Sequence, residues 1–144
     1  MAIIQRTIEV DASVEKLYEV VFDIEQYPSF LTWCDSSEIL SIEDNLVTAS
    51  LCISILGFKS TVTTLNQLDR PTKIVMNLQK GPFKSFKGTW LFEVIELERT
   101  RVTYSMEYRI ANPITEFMVK QKLAPFVDQF VREFVKKFKG KPTD

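Results

Sequence analysis

The chain has 144 residues, of which 45% are hydrophobic and 26% charged, values typical of a soluble globular protein of one domain. Histidine is absent, which excludes Ser-His-Asp triads, histidine acid–base catalysis and most histidine-containing metal sites. The net charge is -1, but residues 120–141 contain seven basic and two acidic residues, so a basic C-terminal segment follows an acidic body.

The first third of the chain predicts a strand followed by a helix. Residues 3–10 alternate between apolar and polar types, with one mostly apolar face that Arg6 interrupts. Ser13 is a typical N-cap for a helix with apolar residues at helical spacing. The segment YPSFLTWC follows, and its Pro28 either ends this helix or opens a short second one. Trp33 in the same segment is interpreted either as a packing residue or as a cavity wall.

Strand patterns with short turns follow, and then one long helix. The clearest strand covers residues 101–110, with one apolar and one polar face. Asn112-Pro113 is a typical helix start, and an apolar stripe runs from there to Phe138. Pro125 predicts a kink inside this helix. The order of elements predicts a single α+β domain over residues 1–144, with the helix lying across the apolar face of an antiparallel sheet.

The side chains on the inner faces of this sheet and helix either interlock as a dry core or line a cavity. Buried hydroxyl and indole groups need hydrogen-bond partners that a hydrocarbon core lacks, which favours a cavity for a hydrophobic ligand. The sequence alone does not separate the two. The candidate cavity residues are Trp33, Leu51, Ile53, Met76, Leu78, Trp90, Phe92, Tyr104, Met106, Tyr108, Phe117, Phe126 and Phe130.

The segment KGPFKSFKGTW, residues 80–90, interrupts two strand patterns and mixes aromatic with basic residues. One interpretation is a long hairpin loop whose aromatic side chains fold onto the core. The other is a lid or a membrane-touching tip, with phenylalanines entering an apolar phase and glycines acting as hinges. The candidate entrance residues are Gly81, Pro82, Phe83, Phe86 and Gly88.

Four lysines are candidate basic surface residues: Lys84 and Lys87 in this segment, and Lys136 and Lys137 near the end of the long helix. They either form an ordinary solvated face or meet an anionic surface, such as RNA phosphates or membrane lipids. Cys34 and Cys52 have no zinc-like spacing, and both are expected to be small buried hydrophobic residues. No catalytic residue, metal site or cofactor is predicted.

The order of elements, together with YPSFLTWC and GPFKSFKGTW, resembles the coenzyme-Q-binding and ribosome-association-toxin (RatA) group of START-like, polyketide-cyclase-type proteins. The resemblance covers essentially the whole chain. It implies an α+β helix-grip fold: a strongly curved antiparallel sheet of about seven strands around a long C-terminal helix, with a tunnel between them. The chain departs from the family pattern at Thr32, where a second proline is expected, and this change predicts a looser corner.

The resemblance implies a non-catalytic protein that binds a hydrophobic ligand, ubiquinone or a related polyprenyl lipid, in support of respiration. A second hypothesis is a toxin that binds the large ribosomal subunit and blocks subunit association. A third is a cyclase or dehydrase-like enzyme, which needs an acid–base pair inside the tunnel. With no signal peptide or span of ~18 apolar residues, we expect a cytoplasmic protein that makes, at most, transient peripheral contact with the inner membrane.

Overall fold

The computed structural model describes residues 2–55, 57–111 and 113–139, except for the side chains of residues 55, 58, 113, 114, 116 and 117. The predictions that concern Asn112 and the Phe117 side chain therefore lie outside the described residues. In chain order the elements are β1 (Ala2–Val10), α1 (Val14–Phe22), a 3-10 helix (Ile24–Ser29), β2 (Cys34–Glu43), β3 (Leu46–Ile55), β4 (Phe58–Asp69), β5 (Lys73–Lys80), β6 (Ser85–Glu96), β7 (Arg99–Arg109) and α2 (Pro113–Phe138).

The seven strands of the described chain form one antiparallel sheet in the order β1-β7-β6-β5-β4-β3-β2. Register shifts interrupt the β2–β3, β4–β5 and β6–β7 pairings, and such bulges bend strands and increase their twist. The long helix α2 packs on the inner face of this curved sheet. The helix-grip prediction is confirmed.

The core follows from the alternation of side chains along β6, β7 and α2. Successive residues of a strand point to opposite faces, so Trp90 and Phe92 of β6 face inward together with Tyr104 of β7. In α2, Phe134 and Phe138 lie one turn apart and are buried against Trp90, with ring centroids 4.8 Å and 6.2 Å away.

Among the described residues, no helix combines the length and hydrophobicity that crossing a membrane requires.

Helix α1 and the 3-10 helix close one end of the sheet. The Ser13 hydroxyl accepts a hydrogen bond from the backbone N–H of Lys16, as the N-cap prediction requires. Pro28 lies inside the 3-10 helix, so it belongs to a short second helix. The Tyr27 hydroxyl donates to the carbonyl of Val21, which lies in the last turn of α1 and has no partner within that helix. The aromatic corner thus satisfies the end of α1.

The two cysteines differ in their environment. Cys34 is buried, and burial raises the pKa of its thiol to about 11. Cys52 is exposed, because the inner face of β3 belongs to its neighbours Leu51 and Ile53. The expectation that Cys52 is buried was wrong.

Helix α2 passes through Pro125 as one element, and the kink there stays a prediction.

Arg6 interrupts the apolar face of β1 because it has a partner on α2. Its Nε donates to a carboxylate oxygen of Asp128, and its cross-strand neighbour on β7 is Tyr104. This hydrogen bond lowers the pKa of Asp128 and raises the pKa of Arg6. Both side chains are more than a third exposed, so solvent screens the pair. The pair joins the edge of the sheet to the middle of α2.

Replacing Asp128 by Asn is expected to lower the free energy of unfolding at pH 7 by less than about 1 kcal/mol, because the pair is screened. Since the folded pKa of Asp128 is depressed, its contribution is present above its ordinary value of 3.8 and is lost as the pH falls through the folded pKa. Urea unfolding at pH 7 and near pH 3 measures this. Asp11→Asn, at an almost fully exposed carboxylate, is the control. An Asp128→Asn effect equal at both pH values would contradict the assignment.

Candidate functional site

A cavity of about 110 Å³ lies between the curved sheet and α2. Every element from the 3-10 helix to α2 except β2 contributes to its wall, which is almost wholly apolar and rich in aromatic rings. The lining residues are Tyr27, Trp33, Leu51, Ile53, Val62, Thr64, Met76, Leu78, Phe83, Phe86, Trp90, Tyr104, Met106, Leu123, Phe126, Phe130 and Phe134.

The cavity exists because α2 packs closely on only part of the sheet. On β6 and β7, large rings reach the helix: Phe130 lies 5.7 Å from Trp90 and 4.8 Å from Tyr104 between ring centroids. On β3 and β4 the inner face carries smaller side chains, among them Leu51 and Val62, on the far side of the curved sheet. These side chains are too short to fill the space between the sheet and α2.

The polar groups in the wall are few and uncharged. Burial raises the pKa values of Tyr27 and Tyr104 well above the ordinary range, so both phenols stay protonated. The Thr64 hydroxyl donates to the side-chain oxygen of Asn66, 3.1 Å away. Among the described lining side chains there is no carboxylate, amine or guanidinium group. The wall is therefore suited to an uncharged, largely hydrocarbon occupant.

Most of the residues that the sequence suggested for a cavity do face this space, and two do not. Phe92 is buried at the other end of β6, where its ring packs against Tyr18 of α1 at 5.9 Å. Tyr108 lies behind the ring of Phe83 at 5.5 Å, outside the lining. Both side chains point inward as predicted, but the inner face is longer than the cavity, and its ends are packed. The side chain of Phe117 lies outside the described residues.

Five lining residues were absent from the sequence prediction. Leu123 and Phe134 lie on the same helical face as Phe126 and Phe130, so the apolar stripe of α2 carried the signal for them. Val62 and Thr64 are two residues apart on β4 and therefore lie on the same face of the strand, which is a weaker sequence signal of the same kind. No sequence signal identified Tyr27 as a lining residue, because its position depends on how the 3-10 helix turns back toward α2.

The aromatic loop is shorter than predicted. Strand β5 ends at Lys80 and β6 begins at Ser85, so Phe86 and Gly88 belong to a strand. Phe83 and Phe86 stack at 5.8 Å, and both line the cavity at this end. The loop itself contains only residues 81–84.

The two glycines of this segment serve close packing. A Cβ on Gly88 would lie 3.1 Å from the Tyr104 hydroxyl, and one on Gly81 would lie 2.8 Å from a methyl group of Leu78. Gly88 pairs with Met76 and Met106 within the sheet, so its prediction as a hinge was wrong. The exposed pair Gly81-Pro82 remains the part of the loop where a hinge is still predicted.

Trp33 separates the cavity from a second space on the protein surface. Its ring lies 5.7 Å from Phe126 and 5.4 Å from Phe130. Trp33 and Phe126 also line a more polar cleft of about 320 Å³. The other residues of this surface cleft are Thr32, Ser54, Lys122, Pro125 and Gln129.

The corner beside Trp33 is tied to α2 by hydrogen bonds. The Thr32 hydroxyl donates to one carboxylate oxygen of Glu133 at 2.6 Å, and the Thr32 amide donates to the other at 3.3 Å. The side-chain amide of Gln129 donates to the Thr32 hydroxyl at 3.0 Å. The expectation of a looser corner was wrong, because the hydroxyl of Thr32 supplies a contact to α2 that proline lacks.

The four candidate basic residues lie on two separate elements. Lys84 and Lys87 are exposed beside the aromatic loop, whereas Lys136 and Lys137 are exposed in the last turn of α2. The Lys137 ammonium lies 5.6 Å from the centre of the Phe30 ring, a cation–π contact that places it over the aromatic corner.

Residues 10–135 match the model of a protein family described as polyketide cyclase / dehydrase and lipid transport. Among curated proteins, the chain is 34% identical over 131 residues to the ribosome association toxin RatA of Escherichia coli (strain K12), a match that covers 91% of this chain and 83% of that protein.

Solved structures show the same fold at lower identity. A START superfamily protein from Mycobacterium smegmatis superimposes with a TM-score of 0.86 at 19% identity, covering 95% of this chain and 97% of that one. The Zhui aromatase/cyclase from Streptomyces sp. R1128 gives a TM-score of 0.83 at 18% identity, covering 96% and 93%. These likenesses establish the helix-grip architecture.

Replacing Phe130 by Ala is expected to lower the free energy of unfolding by about 3–5 kcal/mol, because it removes a ring packed between the sheet and α2. Phe83→Ala is the matched control: the same atoms are deleted from a half-buried loop position, and the loss should be smaller by at least about 1 kcal/mol. Urea unfolding at pH 7 measures both. Equal losses would show that α2 is not held to the sheet mainly through Phe130.

Proposed function

Because this chain belongs to the polyketide cyclase/dehydrase and lipid transport family, and to the family of the RatA toxins, we propose that it binds a hydrophobic small molecule without transforming it. The observation that carries the proposal is the cavity, which is walled by aliphatic and aromatic side chains and covered on one side by α2. Each CH2 group that leaves water for such a space gains about 0.8 kcal/mol. An apolar ligand needs no other driving force.

The volume of the cavity limits what it holds in this conformation. An engineered cavity of about 150 Å³ holds one benzene ring, so a space of about 110 Å³ holds a fragment of that size or smaller. A polyprenyl quinone needs a larger space than this. Ubiquinone or a related lipid remains the finer proposal on condition that the wall opens, at the stacked Phe83 and Phe86 or at Trp33.

The composition of the wall supports binding over catalysis. A cyclase or dehydrase needs groups that accept and donate protons near neutral pH. The described lining offers only hydroxyl and indole groups, and the pKa of Tyr104 is raised by burial, away from the range of a general base. These groups can orient a ligand by hydrogen bonding, but they have little ability to move protons.

Replacing Val62 by Phe is expected to abolish ligand binding, because the added ring occupies the cavity. Val94→Phe is the matched control, since Val94 is also on a strand but 63% exposed. The measurement is solvent extraction and mass spectrometry of each variant purified without detergent from its own host. An apolar compound should co-purify with the wild type and the Val94 variant and be absent from the Val62 variant. Repeated blanks with the wild type would contradict the proposal.

A second candidate function is association with the ribosome, and the relatives favour it. The E. coli K12 protein is named for ribosome association, and its match spans most of both chains. On this chain the exposed lysines at the end of α2, Lys136 and Lys137, are the groups best placed to meet phosphates. They lie beyond the cavity, whose last helical residue is Phe134.

Replacing Lys136 and Lys137 together by Glu is expected to weaken co-sedimentation with ribosomal subunits at least tenfold, because phosphate contacts are lost and repulsion replaces them. The control is the same reversal at Lys16 and Lys73, which are exposed elsewhere. Wild-type binding should also fall steeply between 50 and 200 mM salt. Binding that survives the Lys136/Lys137 reversal but is lost on Val62→Phe would instead connect any ribosome effect to the cavity.

A further inference from the structure

We propose that the surface cleft outside Trp33 is a head-group site for an amphiphile with a carboxylate head, whose hydrocarbon chain passes Trp33 into the cavity. This inference rests on the proposed function, because it assumes that the cavity takes a hydrocarbon chain. It adds a polar site, an entry route and a ligand class that the cavity alone does not define.

The two spaces share a wall that is one side chain thick. Trp33 and Phe126 line both the cavity and the cleft, and their rings meet edge to face at 5.7 Å. Displacement of either ring would join an apolar space to a polar one. A ligand that occupies both spaces must therefore have an apolar end and a polar end.

The backbone next to this wall is also less restrained than ordinary helix. Pro125 has no N–H, so the carbonyl of Gln121 receives no hydrogen bond from it. Phe126 follows directly in the chain, and Pro125 itself lines the cleft. The turn of α2 that carries one half of the wall thus lacks a hydrogen bond that would otherwise oppose its movement.

Most polar groups of the cleft are already engaged with each other or with neighbouring carboxylates. The Ser54 hydroxyl donates to Asp35 at 2.8 Å, and the Lys59 ammonium lies 3.9 Å from the same carboxylate. Glu133 accepts from Thr32. Both nearby carboxylates therefore have donors of their own.

Two donors of the residues that line the cleft are not used. Trp33 is only 8% exposed, and its indole N–H is itself buried, with no hydrogen-bond partner among the described residues. A buried donor without a partner costs free energy, so the displacement of this ring that admits a ligand would also bring the N–H to an acceptor that the ligand supplies. Lys122 is exposed and, within the described part of the chain, makes no salt bridge. A carboxylate has two oxygens, one for each donor, whereas a phosphate would call for more donors than the cleft offers.

The test uses decanoate and decanol, which have the same chain and differ in the head group. Binding is followed by tryptophan fluorescence and by isothermal titration calorimetry at pH 8 and low salt. Wild-type protein should bind decanoate at least about fivefold more tightly than decanol. Lys122→Met should remove most of that preference and leave decanol affinity unchanged. Lys120→Met, an exposed lysine outside the cleft, is the matched control and should keep the preference.

Trp33→Phe provides a second, independent measurement. It keeps an aromatic ring in the wall but removes the indole N–H, so decanoate affinity should fall about fivefold with little change for decanol. Calorimetry is required here, because one of the two tryptophans is gone.

The outcomes separate this inference from the proposed function. If both ligands bind equally and Lys122→Met changes neither, the head-group site is wrong while the hydrophobic cavity stands. If Lys120→Met and Lys122→Met weaken decanoate equally, the preference is a general effect of the basic helix, and the site is again wrong. If neither ligand binds the wild-type protein, the head-group site is wrong, and the proposed function is then decided by the co-purification experiment with the Val62 and Val94 variants.

Discussion

The structure depends on one contact layer, the aromatic packing of α2 against β6 and β7. Phe130 and Phe134 both lie within 6 Å of the Trp90 ring, and Phe130 also meets Tyr104 and Trp33. Such rings contribute large buried area and favourable edge-to-face geometry. Together with the contacts between α2 and β1, which include the Arg6–Asp128 pair, this layer fixes the position of the helix and the amount of space left beneath it.

The same layer explains why the cavity and the packed core belong to one continuous inner face. Moving along β6 from Phe86 to Phe92, the inward side chains pass from the cavity wall to the contact with α1. Between them, Gly88 carries no side chain, so Phe86 and the Tyr104 hydroxyl approach the backbone closely. The boundary between cavity and core is set by how closely each strand faces the helix and by how far its inward side chains reach.

The direction in which a side chain points could be predicted from the sequence, whereas its distance from the helix could not. Alternation in β7 and the stripe of α2 identified inward-facing side chains correctly, because periodicity reports the direction of a side chain. Periodicity does not report distance across the fold, and so Phe92 and Tyr108, which point inward, were assigned to a cavity that they do not line. Cys52 failed for a related reason: general burial statistics were applied to a residue that the strand pattern places on the outer face.

The corner around Trp33 shows a second limit of sequence patterns, since its geometry depends on contacts between residues far apart in the chain. Thr32 and Glu133 are separated by 101 residues, and no local pattern connects them. In the fold their hydrogen bond fixes the chain on one side of Trp33, while the backbone amide of Ser54 donates to the Trp33 carbonyl at 2.8 Å on the other. Trp33 is thus a wall residue whose backbone is restrained and whose side chain faces open space on both sides.

One wall of the cavity and the basic end belong to the same helix, α2, and this sets a condition for any link between the two proposed functions. A ligand under Phe126 and Phe130 alters the surface at Lys136 only if it binds with different affinity to two positions of the helix. A ligand that fits the cavity in its present conformation leaves α2 where it is and carries no such signal. One that must displace Trp33 or Phe126 to enter pushes against the helix itself, and its binding energy then becomes available to move the lysines. Ligand size therefore decides whether the two sites are independent or coupled.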